Sequence, residues 1–244
     1  MKENIIVTGD LHGYWNYLND LLNKKKPEKA IVCGDFGYWP HMHNSKKIGR
    51  RGIRWDQYGI KNHVTEVFWL DGNHENHEEL KILATKYGYQ SPINMKDFEE
   101  NRDKKYKPIY YLPRCCVVEF NDQRCLFIGG ADSIDKMSRR EGISWWRGEV
   151  ISHSDYLNLP EEDIAIVFSH TIPSFLADEL FIDLWGSQKM YDPSCKILEE
   201  VFYKYKPKKW YFGHFHKFYN IHFEGCEFIG LDMAGHMGKW WCYM

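Results

Sequence analysis

Eight short stretches of this chain are apolar almost from end to end: "NIIVTG" (4–9), "KAIVCG" (29–34), "VTEVFWLDG" (64–72), "CCVVEF" (115–120), "RCLFIGG" (124–130), "DIAIVFS" (163–169), "KKWYFG" (208–213) and "CEFIGL" (226–231). A strand with one face in water alternates apolar and polar residues, whereas a strand that is apolar throughout is buried on both faces. Between these runs, Tyr14, Tyr17, Leu18, Leu21 and Leu22 recur at helical spacing, as do Ile197, Leu198, Val201, Phe202 and Tyr205. The early part therefore reads as βαβ. The middle carries consecutive strands with no helix pattern between them, as expected where a second sheet packs on the first. The fold class is α/β.

The length of 244 residues and a hydrophobic content of 43% suit one domain over 1–244 with a sizeable core. Two polar, irregular stretches, 36–62 and 96–108, read as surface insertions. A formal charge of −2 and a pI of about 6.6 exclude a global positive field that would hold long nucleic acid by charge alone, though local basic patches remain. Seven cysteines, with no CxxC pair and several inside apolar runs, read as reduced, buried thiols. The first strand begins at Asn4, leaving no room for a signal peptide, and no apolar run approaches membrane-spanning length. The expectation is a cytoplasmic protein with no membrane partner.

Four of the strands end in glycine followed by metal-binding residue types: "GDLHG" (9–13), "GDFG" (34–37), "GNHE" (72–75) and "GHFH" (213–216); a fifth, "IVFSH", ends at His170. Ligand sites in such sheets lie beyond the carboxyl ends of the strands, so these residues should converge on one edge, where glycine permits close approach. Asp10, His12, Asp35, Asn73, His170, His214 and His216, with His74 as a further candidate, offer carboxylate, imidazole and amide donors without thiolate. That mixture suits manganese first, with iron, zinc or nickel as alternatives, better than calcium or a structural zinc site. The seven ligands are too many for one ion and about right for two divalent transition-metal ions that share a carboxylate.

In this order the blocks D-x-H, G-D, G-N-H-E, a lone His and G-H-x-H resemble the calcineurin-like metallophosphoesterase superfamily. The resemblance implies a four-layer αββα sandwich of two mixed sheets, with the dimetal site at the strand C-terminal edge. Carried over block by block, it implies one metal on Asp10, His12, Asp35 and His216 and a second on Asp35, Asn73, His170 and His214, bridged by Asp35. It also implies hydrolysis of phosphate esters by water acidified between two cations. His74, beside ligand Asn73 and outside the ligand set, is the natural general acid for the leaving alkoxide.

The chain departs from the protein-phosphatase branch. Tyr38 and Trp39 stand where that branch has an aspartate and an arginine after the bridging carboxylate, and Asp71 stands where it has arginine before G-N-H. Asp71 is then a candidate partner for His74. The block "GGADSIDKMSRREGISWWRGE" (129–149) resembles bacterial and phage-borne metallophosphoesterases instead. Arg139 or Arg140 is a candidate phosphate clamp, with Arg50, Arg51 and Arg54 in reserve. Trp145 and Trp146 either stack on a substrate base or pack into the core. The remaining histidines, His77 and His236 among them, default to structural or exposed roles. The expected activity leans to a phosphodiesterase acting on a nucleotide-like or small phosphate ester. A phosphomonoesterase, a nuclease and a non-catalytic binding scaffold are the alternatives.

Overall fold

Alternation of side chains along the strands sorts the apolar residues into three separate cores, and this sorting defines the layers. The structure is a computed structural model that describes residues 2–38, 60–61, 64–95, 106–185 and 192–244. In the first sheet, β1 (Ile5–Thr8), β2 (Lys29–Val32), β3 (Glu66–Trp69) and β5 (Ile109–Tyr111) run parallel. Two antiparallel strands close its edges, β12 (Trp241–Tyr243) on β1 and β4 (Ile93–Asn94) on β5. The second sheet repeats the plan. There β7 (Gln123–Ile128), β8 (Ile166–Ser169), β9 (Lys209–Phe212) and β11 (Cys226–Gly230) are parallel, and β6 (Cys116–Phe120) and β10 (Tyr219–Phe223) are the antiparallel edges.

Residues on one face of β2 and β3, Ala30, Val32, Val67 and Trp69, share a core with two helices, α1 (Trp15–Lys25) and α2 (His77–Tyr87), through Leu18, Leu22, Leu80 and Leu83. Their neighbours Ile31, Cys33, Phe68 and Leu70 point the other way and meet Phe127, Phe168 and Tyr211 of the second sheet. The outer face of that sheet, Val167, Trp210 and Phe228 among others, is covered by Leu176 of α4 (Ser174–Trp185) and by Leu198, Val201 and Phe202 of α5 (Pro193–Tyr205). A short α3 (His153–Leu157) precedes β8. Helices, sheet, sheet, helices: the α/β sandwich of two mixed sheets is the fold that the sequence implied. β2, β7, β8 and β9 are buried over most of their length, as runs covered on both sides must be.

All eight expected strands are present, seven within the expected bounds and β7 starting one residue earlier, and four others among the described residues were not anticipated. β4 and β12 hold only two and three residues, too few for any period to show. β5 lies in the aromatic "IYY", and β10 alternates half-buried and exposed residues, as an edge strand does. The first insertion is also less of a surface feature at its ends than expected. Phe36, Tyr38 and Ile60 are core residues, with Phe36 stacked on Trp69 at 4.6 Å between ring centroids. Residues 39–59 and 96–105, which carry most of both insertions along with Arg50, Arg51 and Arg54, lie outside the described residues. All seven cysteines are buried and unpaired. Among the described residues no helix is long and apolar enough to cross a membrane.

Candidate active site

Because the central strands of each sheet are parallel, the loops after β1, β2, β3, β8 and β9 leave the sandwich at the same edge. Four residues in these loops, His12 (φ 46°), Asp35 (φ 44°), His214 (φ 65°) and His216 (φ 49°), have left-handed backbone. For a non-glycine residue this costs on the order of 1–3 kcal/mol, and such strain concentrates at functional sites. The loops after β1 and β2 are held to each other: the Asp35 carbonyl accepts the amides of Leu11 (3.2 Å) and His12 (2.5 Å). The glycines that precede the site residues are required by space. A Cβ on Gly213 would collide with the Asp10 carboxylate, and one on Gly72 with that of Asp35.

Asp10, His12, Asp35 and His216 offer four ligand atoms that all lie within 4.8 Å of one another. His216 Nε2 is 2.9 Å from Asp10 Oδ2 and 3.0 Å from His12 Nε2, which is itself 3.3 Å from Asp35 Oδ2. On the other side of Asp35, His170 Nε2 lies 3.6 Å from the same Oδ2 and 3.0 Å from Asn73 Oδ1. His170 Nδ1 meets the Cys33 carbonyl at 2.9 Å, which accepts its proton and leaves Nε2 as the donor atom facing the site. The His214 ring packs edge-on against His170 at 4.9 Å, and its amide donates to Asp10. The structure thus brings all seven expected ligands together. Oxygen and imidazole donors converging on shared points fit divalent transition-metal ions.

The electrostatics are those of a site built for cations. Burial pushes the carboxyls of Asp10 and Asp35 up, but neighbouring imidazoles, His170 foremost, outweigh it and hold both below the usual carboxylate range. Burial pushes His214 down to about 3 and lowers His12, so both stay neutral and able to ligate. For His216, burial is overcome by the hydrogen bond and charge of Asp10, which raise it to about 9. A metal taken up here must displace that proton.

His74 borders the cluster, with Nε2 4.0 Å from Asp35 Oδ2 and its amide donating to Asp35 Oδ1 at 2.8 Å. Burial, opposed by Asp35 and reinforced by His12 and Arg139, lowers it to about 4. The two adjacent arginines part company. Arg139 turns inward with its side chain only 10% exposed; its Nη2 lies 2.7 Å from His74 Nε2 and 2.7 Å from Asp135 Oδ1. Its Nη1 is buried without a hydrogen-bond partner among the described residues. Arg140 is exposed, and its backbone closes a turn with Ser144 and Trp145. Trp146 is buried, whereas Trp145 is half-buried, with its indole N–H donating to Glu149 at 2.7 Å and the Arg147 guanidinium 5.9 Å from its ring centroid. The expected pairing of Asp71 with His74 is corrected. Asp71 Oδ2 accepts Arg114 Nε (2.9 Å) and Nη2 (2.7 Å), and Tyr111 donates to Oδ1 at 3.2 Å, so a buried guanidinium takes this carboxylate instead.

Several residues around the site escaped the sequence reading. Glu75, the last residue of "GNHE", is fully buried and accepts the amides of Gly37 (3.0 Å) and Gly72 (2.7 Å), tying the loops after β2 and β3 together. Its place in the motif was the available signal. Asn73 Nδ2 donates to Ser133, whose hydroxyl donates to Glu149. No local pattern marks that serine. His236 bonds Asp232 at 3.0 Å and packs edge-on against His216 at 5.9 Å, closer to the cluster than its default role implied. His77 is buried 3.7 Å from Asp71, a structural position as expected.

A comparison with curated proteins finds no match. Among solved structures the chain is similar to a predicted phosphoesterase of Streptococcus pneumoniae TIGR4, with TM-score 0.36, 11% identity, and coverage of 96% of this chain and 74% of that one. It is similar to the anchor protein of the Plasmodium inner membrane complex, with TM-score 0.46, 10% identity, and coverage of 93% and 70%. A third is a provisionally assigned 5′-nucleotidase of Staphylococcus aureus in complex with alpha-ketoglutarate, with TM-score 0.44 and 15% identity; 95% of this chain spans 49% of that one. The family model described as calcineurin-like phosphoesterase matches residues 3–218, and with its five blocks gathered at one sheet edge the chain belongs to that family.

Proposed function

We propose that the protein hydrolyses phosphate esters with two divalent ions, manganese first among them, one on Asp10, His12, Asp35 and His216 and the other on Asp35, Asn73, His170 and His214. The observation that carries this reading is the position of Asp35 Oδ2, 3.3 Å from an imidazole nitrogen of one set and 3.6 Å from one of the other. A single carboxylate oxygen so flanked is what a bridging ligand requires. When bound, such ions supply an acidified water as nucleophile and neutralise charge on the phosphoryl group.

The chain's own residues do the rest. The partnerless Nη1 of Arg139 is a buried donor that a non-bridging phosphoryl oxygen satisfies, and Asp135 keeps the guanidinium aimed inward. Arg139 Nη2 now donates to His74 Nε2. A phosphate that draws this donor to itself frees the Nε2 lone pair to take up a proton from solvent beside the phosphate's negative charge, and that proton then passes to the leaving alkoxide. Arg139 is the one arginine among the described residues that bonds His74, and a single clamp of this kind suits the single negative charge of a diester; we favour a phosphodiesterase acting on a small or nucleotide-like substrate.

The test compares the manganese-reconstituted enzyme on bis(p-nitrophenyl) phosphate, p-nitrophenyl phosphate, cyclic nucleotides and single-stranded oligonucleotides. Faster diester than monoester turnover is expected. The reverse ratio replaces the diesterase with a phosphatase, and preferred cleavage of oligonucleotides makes it a nuclease. Two bound ions with no turnover on any ester identify a binding scaffold.

A further inference from the structure

The amide of Asn73 has two ends that differ in chemistry and hardly in shape, and only its oxygen ligates a cation. Something must decide which end faces the site. In the structure Nδ2 donates to Ser133 Oγ at 2.9 Å, while Oδ1 points to the side of His170. Ser133 Oγ carries one proton, and it is donated to Glu149 Oε2 at 2.8 Å. The other carboxylate oxygen, Oε1, accepts the Ser133 amide (2.8 Å) and the Trp145 indole N–H (2.7 Å). All three residues, Asn73, Ser133 and Glu149, are buried, so water does not compete for these bonds.

An ionised carboxylate only accepts, so Glu149 takes the serine proton; the serine oxygen is then left with lone pairs alone, and these select the NH₂ end of Asn73. Resting on the dimetal reading above, we propose that Glu149, acting through Ser133, is a positioning residue that fixes the orientation of the Asn73 amide and so sets the affinity of the second metal position. The segment that follows β7 thereby reaches the ligand set from outside it. Burial raises the Glu149 carboxyl to about 7 against the three bonds that favour its charged form, so the relay is best examined well above that pH.

Calorimetric titration of the metal-free protein with Mn²⁺ tests the relay. Wild type should take up two ions. Ser133→Ala removes the acceptor for Nδ2. In Glu149→Gln the Ser133 amide and the Trp145 indole hold the Gln carbonyl, so its NH₂ donates to the Ser133 hydroxyl and the serine proton turns toward Asn73. Each should weaken the second ion by about 10–100-fold, the usual effect of losing an outer-shell partner, and leave the first ion near its wild-type affinity. Asn73→Asp supplies a sharper control, because a carboxylate offers an oxygen in either orientation. In that background Ser133→Ala should have little further effect on the second ion.

Unchanged affinities in folded Ser133→Ala overturn the proposal. So does equal weakening of both ions, which is the result of a purely structural role, or an undiminished Ser133→Ala effect beside Asp at position 73. A wild-type protein that binds a single ion overturns the dimetal reading itself and the relay with it, a failure distinct from the other three.

Discussion

Arg139 and His74 share one hydrogen bond at the edge of the cluster, and the two side chains are expected to fail in different ways when removed. Arg139→Ala should keep its metal and lose about tenfold to a hundredfold in kcat/KM, since a charge-assisted bond contributes about 1.5–3 kcal/mol. Arg140→Ala, at an exposed turn, should stay near wild type; an equal loss in both variants would remove Arg139 from the clamp. His74→Ala should also retain its metal. Its loss should be largest on alkyl esters and should shrink on p-nitrophenyl esters, whose leaving group needs little protonation. Loss of metal along with activity would make His74 a ligand.

At the scale of elements, Arg114 ties the segment after β7 to the end of β3 beside the Gly130–Asp71 and Asn73–Ser133 bonds. Arg114 holds Asp71 and also donates to the carbonyls of Gly148 (2.9 Å), Glu149 (2.9 Å) and Val150 (2.8 Å), while the Asp71 carbonyl accepts the Gly130 amide at 2.9 Å. Removing one partner of a buried pair strands the other's charge. Arg114→Ala should therefore lower the unfolding free energy by about 3–5 kcal/mol in urea titration. The double variant Arg114→Met, Asp71→Asn should lose clearly less than the sum of the single changes, and simple additivity would show that the pair is not coupled.

At the scale of the molecule, the seven candidate ligands divide between the two sheets. Asp10, His12, Asp35 and Asn73 follow strands of the first; His170, His214 and His216 follow strands of the second. Ions bound among them fasten one sheet to the other at the open edge of the sandwich, above the apolar core between the sheets. A ligand bound only by the native state stabilises it by about 2.7 kcal/mol at a hundredfold excess over Kd. Chelation should accordingly lower Tm as well as abolish hydrolysis, and Mn²⁺ should restore both. Full activity after exhaustive removal of metal would end the dimetal reading. Asp35→Asn should show the smallest metal-dependent rise in Tm, because it weakens the ligand common to both ions.

Whatever depends on a few neighbouring residues can be read along the chain. Strands apolar throughout announce burial on both faces, and a glycine at the end of such a strand followed by Asp, Asn or His announces a donor at the sheet edge. The class of fold and the gathering of Asp, Asn and His at one sheet edge were legible for that reason, while the order of the five blocks spoke through the family resemblance. Tertiary structure decided what depends on the path of a loop. Arg139 and Arg140 are the same residue type side by side, yet one turns toward His74 and the other toward solvent. Asp71 finds its partner 43 residues away in Arg114, and Asn73 finds Ser133 60 residues away, at distances along the chain where no periodicity operates. The short edge strands were hidden for a related reason: β4 and β12 exist because a neighbouring strand offers them unpaired amides and carbonyls, a property of the neighbour and not of their own few residues.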